Sequence, residues 1–224
     1  VQTCALPICA EIAALLDAML TPPYGPVHVE LTGPTARRQI ASMPDGATQA
    51  QPVTGAPDPA ADLLRTARRP VIVAGLETCG EEGAAAVRRL AERLQCPVLT
   101  TYKAKGVLPE DHPLRVGLFT GGAAEAPTVD QADLIILAGL DPVELILQPW
   151  RYAAPVLDIG AIRHGPHYVT PQAGLYGPLP ALLETLLPAA RVGEWGIEEV
   201  ASLRADMADA VRFPAGNGLD PVGI

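Results

Sequence analysis

Positive charge is scarce in this chain. Lys and Arg together number 16 against 25 Asp and Glu, a formal net charge of −9, and the two lysines are Lys103 and Lys105. A nucleic-acid binder presents a basic surface, so this balance excludes one. Long apolar runs are also missing. No stretch approaches the roughly 18 residues of a membrane span, which excludes a transmembrane helix. The four cysteines, Cys4, Cys9, Cys79 and Cys96, show no CxxC spacing. That argues against a zinc site or a thioredoxin-type motif and suits reduced thiols in the cytoplasm. GxSxG and GxGxxG are absent too, so neither a hydrolase nucleophile elbow nor the standard dinucleotide fingerprint is written here. Disorder is excluded by the 49% of hydrophobic residues against 18% charged. At 224 residues the chain can bury a sizeable core in one or two domains.

The chain opens without Met, as Val1-Gln2-Thr3-Cys4-Ala5-Leu6-Pro7-Ile8. These residues lack the basic start and long apolar stretch of a signal peptide, and they resemble the translation of a sequencing adapter. A non-native leader over 1–9 is the expectation, on a chain that reads as a fragment. Residues 10–20 carry apolar side chains at helical spacing. Gly25 to Leu31 alternates apolar and polar residues and predicts a strand. Residues 32–59, rich in Pro, Gly, Ala, Thr and Gln, read as a linker.

From residue 60 onward, strands and helices alternate. Asp62 to Arg69 predicts a short helix, capped by Asp58. The apolar runs Pro70–Gly75 and Asp133–Leu140 predict central parallel strands, with further strands at Val98–Thr101 and Ala154–Ile159. Helices are expected over 81–95, 122–131, 178–187 and 196–211. This alternation predicts an α/β domain with a doubly wound parallel sheet over 60–188, followed by a helix and linker over 189–224.

Ligands of such sheets bind beyond the carboxyl ends of the strands. Four loops qualify. Gly75-Leu76-Glu77-Thr78-Cys79-Gly80 is a glycine-bounded turn, and the acidic Glu81 and Glu82 that open the next helix disfavour a diphosphate there. The loop from Thr100 to Pro109 holds both lysines and several hydroxyls, suited either to an anion or to solvent. In Gly139-Leu140-Asp141-Pro142-Val143-Glu144, the acidic pair either receives ribose hydroxyls or caps the next turn, capping being favoured. Leu157-Asp158-Ile159-Gly160 ends a strand with an Asp placed like a ribose ligand. His164 and His167 come near each other with no third metal ligand apparent, and His28 and His112 are scattered.

Several phrases line up with one family. Tyr24-Gly25-Pro26-Val27-His28-Val29-Glu30-Leu31 resembles the close of the pyrimidine-binding domain of thiamine diphosphate-dependent enzymes. Arg68-Arg69-Pro70-Val71-Ile72-Val73-Ala74-Gly75 resembles the opening of their central domain. Cys96-Pro97-Val98-Leu99-Thr100-Thr101, the run Lys105 to Leu114, and Ala132 to Gly139 are similar to its following segments. The group of acetolactate synthase and benzoylformate decarboxylase is the nearest in pattern. The resemblance implies a Rossmann-like central domain of the DHS-like NAD/FAD-binding type over 60–188, preceded at 10–31 by the end of the pyrimidine-binding domain.

For the full-length enzyme the resemblance implies thiamine diphosphate and Mg²⁺, a 2-oxo acid substrate, decarboxylation or carboligation, and a homodimer or homotetramer. The family's activating glutamate precedes residue 10 and its GDG metal motif follows residue 224, so this chain is expected to be catalytically silent, with no catalytic or metal residue of its own. Some members hold FAD or ADP in the central domain. The FAD holders carry an Arg-Phe-Asp-Asp-Arg-like phrase where this chain has Asp141-Pro142-Val143-Glu144-Leu145, without arginine. If a nucleotide binds, Gly75, Thr101, Lys103, Gly139 and Asp158 are its candidate contacts. The competing readings are a standalone FAD- or NAD-binding module of the electron-transfer flavoprotein type and a purely structural α/β domain.

Overall fold

A computed structural model describes residues 6–21, 25–30, 32–36, 53–146, 148–165 and 168–212. The chain divides into a first compact unit, Val1–Gln51, and a second, Pro52–Ile224. In the first, α1 (Leu6–Leu20) covers the predicted helix and α2 (Gly33–Ala36) adds one turn. Residues 25–30 form no strand, contrary to the alternation there. Alternating polarity makes a strand only where a neighbouring backbone completes the ladder, and among the described residues none pairs with this segment. Residues 1–5 of the 1–9 segment expected as a leader, and most of the 32–59 segment, lie outside the described residues, whereas residues 6–9 belong to α1.

In the second unit, the elements in chain order are β1 (Thr54–Gly55), α3 (Pro57–Thr66), β2 (Pro70–Ala74), α4 (Glu81–Leu94), β3 (Val98–Thr100), β4 (Arg115–Leu118), α5 (Ala126–Val129), β5 (Leu134–Ala138), β6 (Val156–Gly160), β7 (Ala173–Tyr176), α6 (Leu179–Leu186) and α7 (Ile197–Ala210). They build one sheet in the order β1-β7-β6-β5-β2-β3-β4. Every neighbouring pair is parallel except β1 with β7. The six parallel strands thus run outward in two directions from the β2–β5 pair, the doubly wound order whose reversal marks a ligand crevice. All five residues of β2, of β5 and of β6 are buried, as strands covered on both faces should be, and β2 and β5 are continuous apolar runs.

Helix α4 lays Gly83, Ala86, Val87, Leu90, Ala91 and Leu94 into the core at the three- and four-residue spacing of a single helix face. Its carboxyl end closes on Gln95 in the left-handed conformation (φ 51°). Pairing begins before residue 60: Thr54 and Gly55 align with Tyr176 and Leu175, and α3 starts at Pro57. The Pro-rich stretch looked like linker, yet its prolines occupy the first turn of α3, where a missing N–H costs nothing. The residue before that helix is Ala56, without a side-chain cap, so Asp58 is not the cap, and the helix ends at Thr66 instead of Arg69.

The opposite boundary is also crossed. Helix α7 packs on β4, where a Cβ at Gly117 would meet Met207 Sδ at 2.1 Å. Ahead of α7, the buried Trp195 donates from Nε1 to the carbonyl of Pro70 at 2.8 Å. The Arg69 guanidinium lies 3.7 Å above the Trp195 ring and bonds Glu199 Oε1 at 2.6 Å. That bond holds the Glu199 carboxyl below its ordinary range. The backbone N–H groups of Arg68 and Arg69 donate to the Asp133 carboxylate at 2.7 and 2.8 Å, tying the starts of β2 and β5 together.

Candidate functional site

The crevice beyond the carboxyl ends of β2 and β5 is where this fold places a ligand, and here the two strand ends are in contact. Gly75 N–H donates to Ala138 O at 2.8 Å and Glu77 N–H to Gly139 O at 3.0 Å. A Cβ on Gly75 would stand 2.4 Å from Gly139 O and 2.5 Å from Leu140 Cα. Gly75 has φ −110°, which any residue adopts, so glycine is demanded by space alone. Gly139, by contrast, has φ +63°, and a Cβ there would also press on Glu77, Leu179 and Thr78. Both glycines singled out in the sequence therefore serve close backbone approach.

The side chain that links the segments following these two strands is Glu144. It follows β5 in a short 3-10 turn, Pro142–Glu144. Its Oε1 accepts from Leu76 N–H at 2.7 Å and Asp141 N–H at 2.9 Å. Its Oε2 accepts the hydroxyl of Thr101, a residue that is itself fully buried. Val143 N–H donates to Asp141 Oδ1 at 3.0 Å, so the Asp141–Glu144 pair caps the turn as expected. Thr101 thus belongs to the crevice, but its hydroxyl is already engaged.

Lys103 is exposed, and its carbonyl accepts a bond from Cys79 Sγ at 3.3 Å. Burial, followed by the charge of Glu144, pushes the Cys79 thiol up. Asp158 does not open onto a loop. It lies within β6, 4% exposed, and accepts from Tyr176 Oη at 2.9 Å. Burial raises its carboxyl, opposed by that bond and by the charges of His164 and Arg163. The structure brings Gly75, Gly139 and Thr101 to one crevice, with Lys103 at its rim through Cys79, while Asp158 is committed to Tyr176.

Glu77, not singled out among the candidates, forms a second carboxylate site. Its Oε2 accepts from Ala161 N–H at 2.6 Å and its Oε1 lies 3.1 Å from His164 Nε2. His167 lies outside the described residues, so the expected His164–His167 proximity is not described, and His164 instead meets Glu77. Burial raises the Glu77 carboxyl above its ordinary 4.5, outweighing the bonds to Ala161 and His164, and Asp141 pushes the same way. A raised folded-state value gives stability that is fully present below 4.5 and lost as pH rises through that value. Glu77→Gln should therefore gain on the wild type between pH 4 and pH 7, read as the difference in urea midpoints. A wild type that gains on the variant over that interval would refute the assignment.

A separate cleft near the end of β4 is lined by Phe119, Trp150, Arg151, Tyr152 and Tyr168 and holds about 20 Å³, room for a water. Among the described residues, no group of three or more His, Cys, Asp or Glu is placed to hold a metal ion. The sequence has no GDG, and its one asparagine, Asn217, lies outside the described residues. The described residues thus offer no fit for Mg²⁺ and thiamine diphosphate, and no chemical step is assigned to them.

The sheet order and closed crevice define a doubly wound nucleotide-type domain. Residues 58–177, more than half of the chain, match the family model described as "Thiamine pyrophosphate enzyme, central domain". The chain belongs to the thiamine pyrophosphate enzyme family and contains its central domain. It is 34% identical over 168 residues to the acetolactate synthase large subunit of Mycobacterium tuberculosis, covering 73% of this chain and 29% of the relative. It is 33% identical over 151 residues to 2-hydroxyacyl-CoA lyase 1 of Mus musculus, covering 65% and 25% respectively. Among solved structures, benzoylformate decarboxylase from Polynucleobacter necessarius matches with a TM-score of 0.63 at 20% identity, over 86% of this chain and 38% of the other, a likeness of fold. The chain spans 29% and 25% of the lengths of the two curated relatives.

Proposed function

We propose that this chain supplies the central domain of a thiamine diphosphate-dependent enzyme acting on 2-oxo acids by decarboxylation or carboligation, and that the domain is a scaffold. The family match over residues 58–177 carries the reading. Its relatives with printed activities include a synthase, a lyase and an acetyltransferase. Thiamine diphosphate and Mg²⁺ would be held by domains other than this one, since the described residues provide neither a metal cluster nor the GDG phrase.

Within the scaffold, Gly75, Thr101 and Gly139 close the crevice, Lys103 holds the Cys79 turn through its carbonyl, and Asp158 anchors Tyr176. This assignment is favoured over nucleotide contacts because the Thr101 hydroxyl and the Asp158 carboxylate are engaged internally and the two glycines are in close backbone contact. No helix among the described residues is long and apolar enough to cross a membrane. We place the protein in the cytoplasm, working as a homodimer or homotetramer. The test is an assay of the purified chain with thiamine diphosphate, Mg²⁺ and pyruvate or benzoylformate. No carbon dioxide release is expected; turnover would overturn the scaffold role.

A further inference from the structure

We infer that the cleft near the end of β4 is a built site for one water molecule, held between Trp150 Nε1 and Tyr152 Oη. Both atoms are buried, and neither has a hydrogen-bond partner in the protein. Tyr152 is only 7% exposed, and both residues line the cleft. A buried donor without an acceptor is costly, so two of them in the walls of one cleft point to a guest that accepts. The indole N–H can only donate, whereas the phenol donates or accepts. Water meets both requirements, accepting from the indole and pairing with the phenol in either sense.

Packing keeps the two polar atoms where they are. Phe119, Trp150 and Tyr152 contact one another, with ring centroids 6.2, 6.1 and 5.3 Å apart, the range in which aromatic pairs attract. Size and charge then select the guest. The cleft holds about 20 Å³, enough for one water and for nothing larger. The Arg151 guanidinium lies 5.9 Å from the centre of the Tyr152 ring and opposes a cation. The fully buried Glu125 opposes an anion. Burial, followed by the Glu125 charge, pushes the Tyr152 phenol up, so its hydroxyl keeps the proton. A neutral molecule of water's size is what remains, and it locks Trp150 and Tyr152 together against Phe119 in the segment that leads into β6.

Two measurements on the full chain test the site. A high-resolution crystal structure should show an ordered water within hydrogen-bond distance of both Trp150 Nε1 and Tyr152 Oη. Thermal unfolding of Tyr152→Phe supplies a test by sign. If water bridges the hydroxyl, its removal leaves a buried water short of a partner, and Tm should fall by about 2–4 °C. If the hydroxyl is unpaired, its removal relieves a buried polar group and Tm rises. A Tm that rises or stays unchanged would overturn the inference, as would a crystal structure with no water peak there or one that reaches only one of the two atoms.

Discussion

Gly75→Ala is expected to cost about 3 kcal/mol or more of folding stability, because overpacking of this kind cannot be relieved by a side-chain rotation. The added methyl would lie 2.4 Å from Gly139 O and 2.5 Å from Leu140 Cα, and both are backbone atoms. Moving them means parting β2 from β5 at the centre of the sheet. The bonds lost first would be Gly75 N–H to Ala138 O and Glu77 N–H to Gly139 O. Backbone torsion contributes nothing to this cost, since φ is −110°. Urea denaturation followed by circular dichroism measures it. A loss under about 1 kcal/mol would mean that the two strand ends are not in contact as described.

Trp195→Ala is the second large effect, expected at about 3–5 kcal/mol. Three contributions vanish together. The indole is 7% exposed, so its burial against the core is lost. The bond from Nε1 to Pro70 O leaves an unpaired carbonyl at the head of β2. The Arg69 guanidinium, 3.7 Å above the ring, loses its cation–π partner. Trp195→Phe separates these effects, since it keeps most of the apolar contact and loses the hydrogen bond. It should cost about 1–2 kcal/mol. Equal costs for Ala and Phe would show that the hydrogen bond alone matters.

Much of this architecture is readable from residue order. Pro70–Ala74 and Leu134–Ala138 are uninterrupted apolar runs, and only a strand covered on both faces tolerates that. Helix α4 shows its buried stripe in the bare sequence. Strands β4 and β7 are harder to see, because Arg115–Leu118 and Ala173–Tyr176 are four residues long and each contains a glycine. Their strand character comes from the parallel neighbours β3 and β6. Residues 25–30 teach the converse, since alternation there produced no strand.

The cap formed by Asp141 and Glu144 is readable in the sequence, while the distant partners of the carboxylates are not. Gly75 and Gly139 follow apolar strands, a place where a backbone must come close to something. That the something is another backbone is not written locally. Glu77 finds Ala161 and His164 more than eighty residues away, and Glu144 finds Leu76 and Thr101 across the crevice. Asp158 ends a strand in sequence and looks available to a ribose, but Tyr176 from the adjacent strand takes its carboxylate. Pairings across sheet neighbours escape a reading that follows chain order.

The central claim is that a family of thiamine enzymes is represented here by its non-catalytic middle. It is tested most directly by measuring carbon dioxide release from 2-oxo acids with thiamine diphosphate and Mg²⁺, for the purified chain beside a longer polypeptide that carries this domain. Cofactor-dependent release by the longer polypeptide and none by the chain is the predicted result. Release by the chain itself, or none by either across pyruvate, benzoylformate and longer 2-oxo acids, would contradict it.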